Sequence, residues 1–369
     1  AISNIIRKVI MGTVYLVSSN GKMSKEGEAL VVRDYDGTKT TLPLHTIDQL
    51  IIIGTVEISG QALRLLMKHS IETVFVSKNG RYDGKLAFED AKNVFLRQKQ
   101  YDTLHDDGFC TTIAKSIVRG KLRNEYLFMQ RIGRKLEKDD FITQQVQKLA
   151  SILGKLEKAS TIDEIRGYEG FAATLFFSVL GKNITPEWVM FKGRNKNPPR
   201  DPMNAVLSFL YTLLAYRVDA LIVSEGLDNS VGILHALSYG RKSLVFDLIE
   251  EYRTPLVDTL TCAMFNMGVL NKGDFRTVCN TEESREECAE VDTDLERRDI
   301  PGEFEKAVLL TQEGIRKVVV QFERKIQEEH LYEPLGKRIN YKRIMHEQVK
   351  MYKRYIMGLE EAYKPVVIS

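Results

Sequence analysis

The sequence predicts an α+β protein: a small N-terminal β-sheet domain at residues 1–91, then a larger all-α C-terminal domain at residues 92–369. Two observations lead to this prediction. Short runs rich in Val, Ile, Thr and Tyr, separated by turn signals, fill residues 12 to 88. After about residue 91, apolar residues recur with the period of an α-helix over long stretches.

The N-terminal runs predict short strands and one helix. The strands are predicted at 12–18, 28–34, 39–44 and 48–54, with a turn at Asn20-Gly21. The continuous apolar run 50–53 predicts a strand buried on both faces. Residues 59–68 predict a helix that Ser59 caps, with Leu63, Leu66 and Met67 towards the core. Residues 1–10 precede this pattern and resemble a tag or linker.

The second domain is predicted from amphipathic stretches. They lie at 92–106, 110–132, 139–158, 161–181, 202–225, 243–270, 303–329 and 338–359. Two segments interrupt them: a polar loop with two prolines at 191–201 and an acidic insertion at 271–300. The last stretch interleaves basic and aromatic residues between 341 and 355, which suits tracking of a nucleic-acid backbone with some stacking.

Composition excludes several classes of protein. The 369 residues are 43% hydrophobic and 28% charged, as in ordinary globular proteins. The four cysteines show no Cys-x-x-Cys spacing, which argues against a disulfide framework or a zinc ribbon and fits a reducing cytoplasm. The sequence contains no run of 18 apolar residues, so it predicts no membrane-spanning helix. The net charge of +3 is only a weak indication of nucleic-acid binding.

Glu169 is a carboxylate on an apolar helix stripe. Thr161 and Glu164 match a capping box, and the helix that follows has Ile165 and Ala172 on the same stripe as Glu169. An ionised carboxylate there costs several kcal/mol unless it is paired or bound to metal. It therefore either pairs with a buried Arg or Lys, such as Arg166, or is a metal ligand in a cleft. The flanking glycines 167 and 170 suggest that something approaches the backbone closely.

A second cluster combines a histidine with two helical carboxylates. His235 precedes a predicted helix on which Asp247 and Glu250 are three residues apart and hence neighbours. Carboxylate and imidazole ligands together suit Mg²⁺ or Mn²⁺. A packed histidine and a solvated acidic face are the alternatives, and the spacing alone does not distinguish Asp247 from Glu250 as a ligand.

Five segments carry a resemblance to a known family. They are 42–54 (LPLHTIDQLIIIG), 166–170 (RGYEG), 197–211 (NPPRDPMNAVLSFLY), 226–228 (GLD), and His235 with 240–253 (GRKSLVFDLIEEYR). In this order and spacing they resemble the CRISPR-associated integrase family, the first of the Cas proteins, over about residues 11 to 360. The acidic insertion matches no motif of that family.

The resemblance implies an integrase that inserts captured spacer DNA into a CRISPR array by transesterification from a 3′-hydroxyl at repeat borders. It implies Glu169, His235 and Glu250 as ligands of Mg²⁺ or Mn²⁺, with Asp247 as a catalytic residue beside them. Candidate DNA-binding residues are Arg166, Lys192, Arg194, Lys196, Arg200, Arg241 and Lys242. A stand-alone metal-dependent endonuclease on branched DNA and a non-catalytic DNA-binding scaffold are the alternative functions.

The same resemblance implies partners. It implies double-stranded DNA, as prespacer and CRISPR repeat, and a homodimer formed through the β-domain. It also implies a small ferredoxin-like second CRISPR-associated protein, and a fused or separate end-processing nuclease is a further candidate. No membrane partner is expected.

Overall fold

The computed structural model describes residues 12–34, 37–77, 82–86, 93–136, 139–195, 198–279 and 306–368. The predictions for residues 1–10, for Lys196 and for most of the acidic insertion lie outside these ranges. The predicted fold class is confirmed, since a mixed β-sheet precedes a mostly helical region.

The N-terminal part is a six-stranded sheet. Its strands are Gly12–Glu26 (β1), Ala29–Arg33 (β2), Lys39–Pro43 (β3), Ile47–Ile58 (β4), Glu72–Val76 (β5) and Tyr82–Leu86 (β6). They lie in the order β3-β2-β1-β4-β5-β6 across the sheet. β1, β4 and β5 run parallel to one another, and the other neighbouring pairs are antiparallel.

The predicted turn at Asn20-Gly21 is wrong, because β1 continues through it to Glu26. The pairing of β1 with β4 shifts register between Ser18 and Gly21, so the Asn-Gly pair forms an irregularity inside a long strand. Opposite it, Gly54 has φ +99°. A Cβ at Gly54 would lie 2.2 Å from the Ser18 carbonyl oxygen, so only glycine fits there.

Both faces of the sheet are buried, as the run 50–53 predicts. Leu50 and Ile52 face helix α1 (Gly60–Lys68), whereas Ile51 and Ile53 join the core of the helical region. Ser59 caps α1 as predicted, since its side chain accepts a hydrogen bond from the Ala62 amide. The predicted core face of α1 is partly wrong: its buried residues are Ala62, Leu65 and Leu66, while Leu63 and Met67 are exposed.

The helical region follows the predicted stretches closely. Its α-helices are Val94–Asp102 (α2), Asp107–Lys135 (α3), Asp140–Leu156 (α4), Ile162–Leu180 (α5), Pro202–Ser224 (α6), Ser243–Tyr252 (α7), Thr259–Asn266 (α8), Gln312–Ile326 (α9) and Tyr341–Ile356 (α10). A π-helical segment, Arg253–Asp258, joins α7 to α8. Such segments often occur at functional sites.

The prediction of an entirely helical second domain is wrong in two places. Phe275–Cys279 (β7) pairs antiparallel with Lys306–Leu310 (β8), which was predicted to be helical. Glu329–Tyr332 (β9) pairs with Lys337–Asn340 (β10). Periodicity does not separate short apolar strands from helix starts, because four or five residues complete barely one helical turn.

Helix α6 is long and apolar enough to cross a membrane by length and composition. Its most apolar window is 83% buried inside the protein, so α6 is a core helix. In helix α10 the predicted stacking is wrong for two of the three tyrosines, because Tyr341 and Tyr352 are buried in the core. Tyr355 is half-buried, and its ring stacks on that of Phe109.

The C-terminal tail, residues 360–368, packs between α3, α7 and α10. Asn124 of α3 donates hydrogen bonds to the carbonyls of Glu251 and Val366 and accepts one from the Ile368 amide. A Cβ added at Gly120 would lie 2.6 Å from the Cβ of Pro365. The tail therefore fixes α7 against α3 through a contact that tolerates no side chain at position 120.

We expect Gly120→Ala to lower the free energy of unfolding by about 1–2 kcal/mol, because the overpacking outweighs the higher helix propensity of alanine. Gly154 is the matched control, since it lies in α4 with open space around it. Gly154→Ala should raise stability by about 0.5–1 kcal/mol. Urea denaturation of both variants measures this, and a stabilising Gly120→Ala would contradict the packing of the tail.

Candidate active site

Helices α3, α5 and α7 and the loop before α7 meet at one cluster of charged side chains. Glu169 comes from α5, Glu250 from α7 and His235 from the loop. Lys121 of α3 joins them, since its ammonium forms ion pairs with both Glu169 and Glu250. The structure thus brings together three residues that are far apart in sequence and that were predicted as one site.

Asp247 holds the loop that carries His235. Its carboxylate accepts hydrogen bonds from the amides of Ile233, Leu234 and His235 at 2.5, 3.0 and 2.8 Å. Its Oδ1 also lies 2.7 Å from His235 Nδ1. Because an acceptor faces Nδ1, the proton of a neutral imidazole belongs on Nδ1, and Nε2 keeps its lone pair. Asp247 therefore positions His235, with its oxygens already engaged.

Glu250 is buried and held ionised by cations. Its Oε2 lies 2.7 Å from Lys121 Nζ, and its Oε1 lies 3.0 Å from Arg253 Nε and 3.9 Å from His235 Nε2. Burial would raise the pKa of Glu250, but the positive charges of Arg253 and Lys121 outweigh it, and the pKa is lowered to about 2. Glu250 therefore presents a full negative charge at neutral pH.

Glu169 is the most accessible of the three, with 27% of its side chain exposed. Glu169 pairs with a buried basic residue, as one of the two alternatives predicts, but the partner is Lys121 and not Arg166. Arg166 instead pairs with Asp163 at 3.0 Å. No described part of the protein approaches Gly167 or Gly170, because a Cβ at either would meet open space. The close approach expected there is thus not made by the described chain.

Lys121 is the residue that sequence reasoning missed. It is 7% exposed and lies on the buried side of α3, between Ile117 and Leu122. Glu125, four residues further on, is also buried. The argument that selected Glu169, a charged residue at helical spacing from apolar ones, applies equally to Lys121 and Glu125. That signal was present in the sequence.

The donor groups fit a hard divalent cation. Two carboxylates and one imidazole nitrogen converge from α5, α7 and the loop, and this combination suits Mg²⁺ or Mn²⁺. Within the described ranges, no three His, Cys, Asp or Glu side chains are already arranged as a coordinating set. The position between the two carboxylates is instead taken by the ammonium of Lys121.

The sequence predicts that the helix with Asp247 and Glu250 is amphipathic, with these carboxylates on its polar side. This prediction is wrong. Every residue of α7 is buried, including both carboxylates and Glu251. A solvated acidic face is therefore excluded for this pair. Specific partners stabilise the buried carboxylates, because their ion pairs and hydrogen bonds offset the free-energy cost of removing the charges from water.

A buried network continues beneath the site. Arg253 lies 4.6 Å from the centre of the Tyr211 ring, and the Tyr211 hydroxyl donates to Asp258 at 2.5 Å. Burial raises the pKa of Asp258 to about 6, although the hydrogen bond from Tyr211 favours the charged form. Arg194 stacks 5.5 Å above the same ring. The network links the proline-containing loop to the segment that follows Glu250.

This network predicts a pH dependence of stability. Because folding raises the pKa of Asp258, the folded protein holds a proton that the unfolded chain releases above about pH 4. The stability of the wild type relative to Asp258→Asn should therefore fall by up to about 3 kcal/mol as pH rises from about 4 to 6. Urea denaturation across this range measures the difference, and a difference independent of pH would contradict the prediction.

Two of the predicted DNA-binding residues in the proline-containing loop are free to meet a ligand. Lys192 and Arg200 are exposed. Arg194 instead organises the loop, since its guanidinium donates to Asn204 at 3.0 Å and Ser208 at 2.9 Å. Lys196 lies outside the described residues.

The remaining candidates surround His235. Arg166 donates to the Leu234 carbonyl at 2.6 Å and so supports the loop. Lys242 pairs with buried Asp219 at 2.8 Å, and Arg241 lies 5.7 Å from the Phe246 ring. These three basic residues are near the site but engaged with the protein.

Comparisons with known proteins agree with the fold. The family model described as CRISPR associated protein Cas1 matches residues 14–288. A curated relative from Rhodospirillum rubrum, named CRISPR-associated endonuclease Cas1 2, is 32% identical over 369 residues, which cover 97% of this chain and 98% of the relative.

Two solved structures share the fold at 22% identity. A casposase bound to integration product superposes with a TM-score of 0.78, covering 96% of this chain and 93% of that chain. A Cas6-RT-Cas1–Cas2 complex superposes with a TM-score of 0.77 over 98% of this chain and 36% of that longer chain. From the family match and the full-length relative, the chain belongs to the Cas1 family of CRISPR-associated proteins, in which the curated relative is named an endonuclease.

Proposed function

We propose that this protein is a metal-dependent DNA integrase of CRISPR adaptation. It inserts captured spacer DNA into the CRISPR array, as a 3′-hydroxyl attacks a phosphodiester at the border of a repeat. One P–O bond forms as another breaks, so the reaction needs no external energy source. The observation that carries the proposal is the convergence of Glu169, His235 and Glu250 from separate segments on one cluster.

The site's side chains would bind a divalent cation. Glu169 and Glu250 offer carboxylate oxygens, and His235 offers Nε2 because Asp247 faces its Nδ1. Arg253 keeps Glu250 ionised. A divalent cation held by these groups would lower the pKa of the attacking hydroxyl and neutralise charge on the scissile phosphate.

DNA would reach the site along basic and open surface. Lys192 and Arg200 are exposed on the proline-containing loop and can neutralise phosphates. Gly167 and Gly170 leave the surface of α5 bare on either side of Glu169. A helix without side chains there lets a DNA backbone approach the carboxylate, which gives the two glycines a role that the protein's own packing does not.

Partners are proposed from the family. They are double-stranded DNA, a second copy of this chain, and a small ferredoxin-like protein corresponding to the Cas2 in the solved Cas6-RT-Cas1–Cas2 complex. A fused or separate nuclease that trims DNA ends is a further candidate. A cytoplasmic location is proposed with them, because the CRISPR array and these partners would be found there.

The test is a strand-transfer assay. The protein is incubated with Mn²⁺, a labelled duplex with free 3′-hydroxyls and a target that contains a CRISPR repeat. Joined products at the repeat borders are expected, and Glu169→Ala should abolish them. If Glu169→Ala joins DNA at the wild-type rate, the metal-dependent site is wrong and a scaffold role gains support.

A second candidate function is a stand-alone endonuclease on branched DNA. It is favoured by the name of the R. rubrum relative and uses the same residues. Nicked products without any joined product, under conditions that supply both substrates, would favour it over the integrase.

A further inference from the structure

A buried lysine takes the place where the proposed site needs a cation. Lys121 is 7% exposed, and its ammonium pairs with Glu169 on α5 and with Glu250 on α7. Removing an ammonium from water costs several kcal/mol, which only close carboxylates offset. The two carboxylates in turn belong to different helices and repel one another unless a positive charge lies between them.

A second acceptor for this ammonium lies one helical turn away. Glu125 is four residues after Lys121 on α3, a spacing that places two side chains side by side. Glu125 is 2% exposed, and its Oε2 is buried without a hydrogen-bond partner in the described part of the chain. Burial raises the pKa of this carboxyl group to about 8, and an ammonium brought closer would favour its ionised form. A buried polar oxygen without a hydrogen-bond partner is uncommon in folded proteins.

We propose that Lys121 is a displaceable placeholder cation: it holds Glu169 and Glu250 together before metal binds, and it moves to Glu125 when a divalent cation takes the two carboxylates. This proposal rests on the proposed function, because it requires a metal at these ligands. The lysine side chain has four methylene groups and can swing between acceptors while its α-carbon stays fixed.

Charge accounts for both states. Without metal, the Lys121 ammonium and the Arg253 guanidinium neutralise the two carboxylates, and Glu125 Oε2 has no hydrogen-bond partner in the described part of the chain. With metal, a double positive charge replaces the ammonium, which would be repelled by the ion at such short distance. The move to Glu125 then satisfies the oxygen that has no partner. Lys121 acts as a positioning residue in this scheme, and Glu125 sets how easily it is displaced.

The experiment measures Mn²⁺ affinity by titration calorimetry on the full chain, with thermal unfolding as a second readout. In Lys121→Met the metal no longer competes with an ammonium, so Mn²⁺ should bind at least about tenfold more tightly than to the wild type. The rise in Tm on adding Mn²⁺ should also be larger. Lys115→Met is the matched control, because Lys115 lies on the same helix and is directed towards Glu157.

Glu125→Gln tests the second half of the exchange. Glutamine cannot ionise when the ammonium arrives, so the released ammonium has a poorer acceptor, and Mn²⁺ should bind about threefold to tenfold more weakly. In the Lys121→Met background the same change should have no effect, because no ammonium needs the acceptor. If the Glu125→Gln effect persists unchanged in that background, the exchange is wrong.

The outcomes separate this proposal from the function on which it rests. If the wild type binds no Mn²⁺, or if Glu169→Gln binds Mn²⁺ as tightly as the wild type does, the proposed metal site itself is wrong. If the wild type binds Mn²⁺ and Lys121→Met binds it equally or less tightly, only the placeholder role fails. Lys121→Gln, which retains hydrogen-bonding capacity, replaces Lys121→Met if the latter does not fold, and the same result is expected of it.

Discussion

Glu250→Gln is expected to abolish DNA joining and cleavage, with a loss of at least about a thousandfold in rate. The substitution keeps the size of the side chain and removes its charge. Glu250 is buried, contacts Lys121 and Arg253, and has a pKa lowered to about 2, so the wild type always presents a carboxylate at neutral pH. A neutral amide binds a divalent cation weakly by comparison.

The next residue provides a matched control. Glu251 is equally buried, but burial raises its pKa to about 8, so it is mostly protonated at pH 7. It bonds to Tyr363, Gln348 and the Val366 amide, away from the site. Glu251→Gln imitates the protonated form, and the Tyr363 hydroxyl can rotate to accept from the new amide. We expect joining rates within about threefold of the wild type. Equal losses in the two variants would show that α7 packing, and not the charge of Glu250, is required.

Asp247→Ala should have the second large effect, on both stability and activity. It removes the acceptor of three backbone amides and of His235 Nδ1. Buried donors left without partners cost about 1–3 kcal/mol each, so the free energy of unfolding should fall by about 3–5 kcal/mol. The rate of DNA joining should fall at least about a hundredfold, because nothing then fixes the Nδ1-protonated tautomer of His235 or the position of its ring.

Asp247→Asn separates the two roles. Asparagine keeps one acceptor oxygen and restores part of the stability, while its amide removes the carboxylate that fixes the histidine tautomer. Activity should stay low when stability is largely recovered. Asp228→Asn is the control, since Asp228 accepts from the Ser230 amide in the same loop but bonds to Tyr101 and not to His235. If Asp247→Asn joins DNA at the wild-type rate, the orienting role of Asp247 is wrong.

Local sequence signals predicted the elements but not their faces. The capping box of Thr161 and Glu164 and the Ser59 cap are confirmed, because a cap depends on residues only three positions apart. The core face of α1 was misjudged at Leu63 and Met67, which are exposed. Which flank of a short helix meets a sheet depends on how the chain enters it, and that is set by tertiary packing.

The residues of the charged cluster also differ in how far the sequence predicts them. Glu169 could be found from its helix stripe alone, whereas His235 required a resemblance. Its position depends on a loop held by Asp247 from twelve residues away, and no periodicity encodes such a contact. Lys121 was not predicted, because the resemblance implies metal ligands and not the cation that their charges require. Helix α7 looked amphipathic, but neighbours from α3, α6 and the tail bury it on all sides.

The most direct test of the central claim is pulsed electron paramagnetic resonance of bound Mn²⁺. Glu169, His235 and Glu250 as ligands predict a hyperfine coupling to one imidazole nitrogen in the wild type. His235→Gln should remove that coupling while Mn²⁺ still binds, more weakly, through the carboxylates. A Mn²⁺ signal without nitrogen coupling in the wild type, or a coupling that survives in His235→Gln, would contradict the site described here.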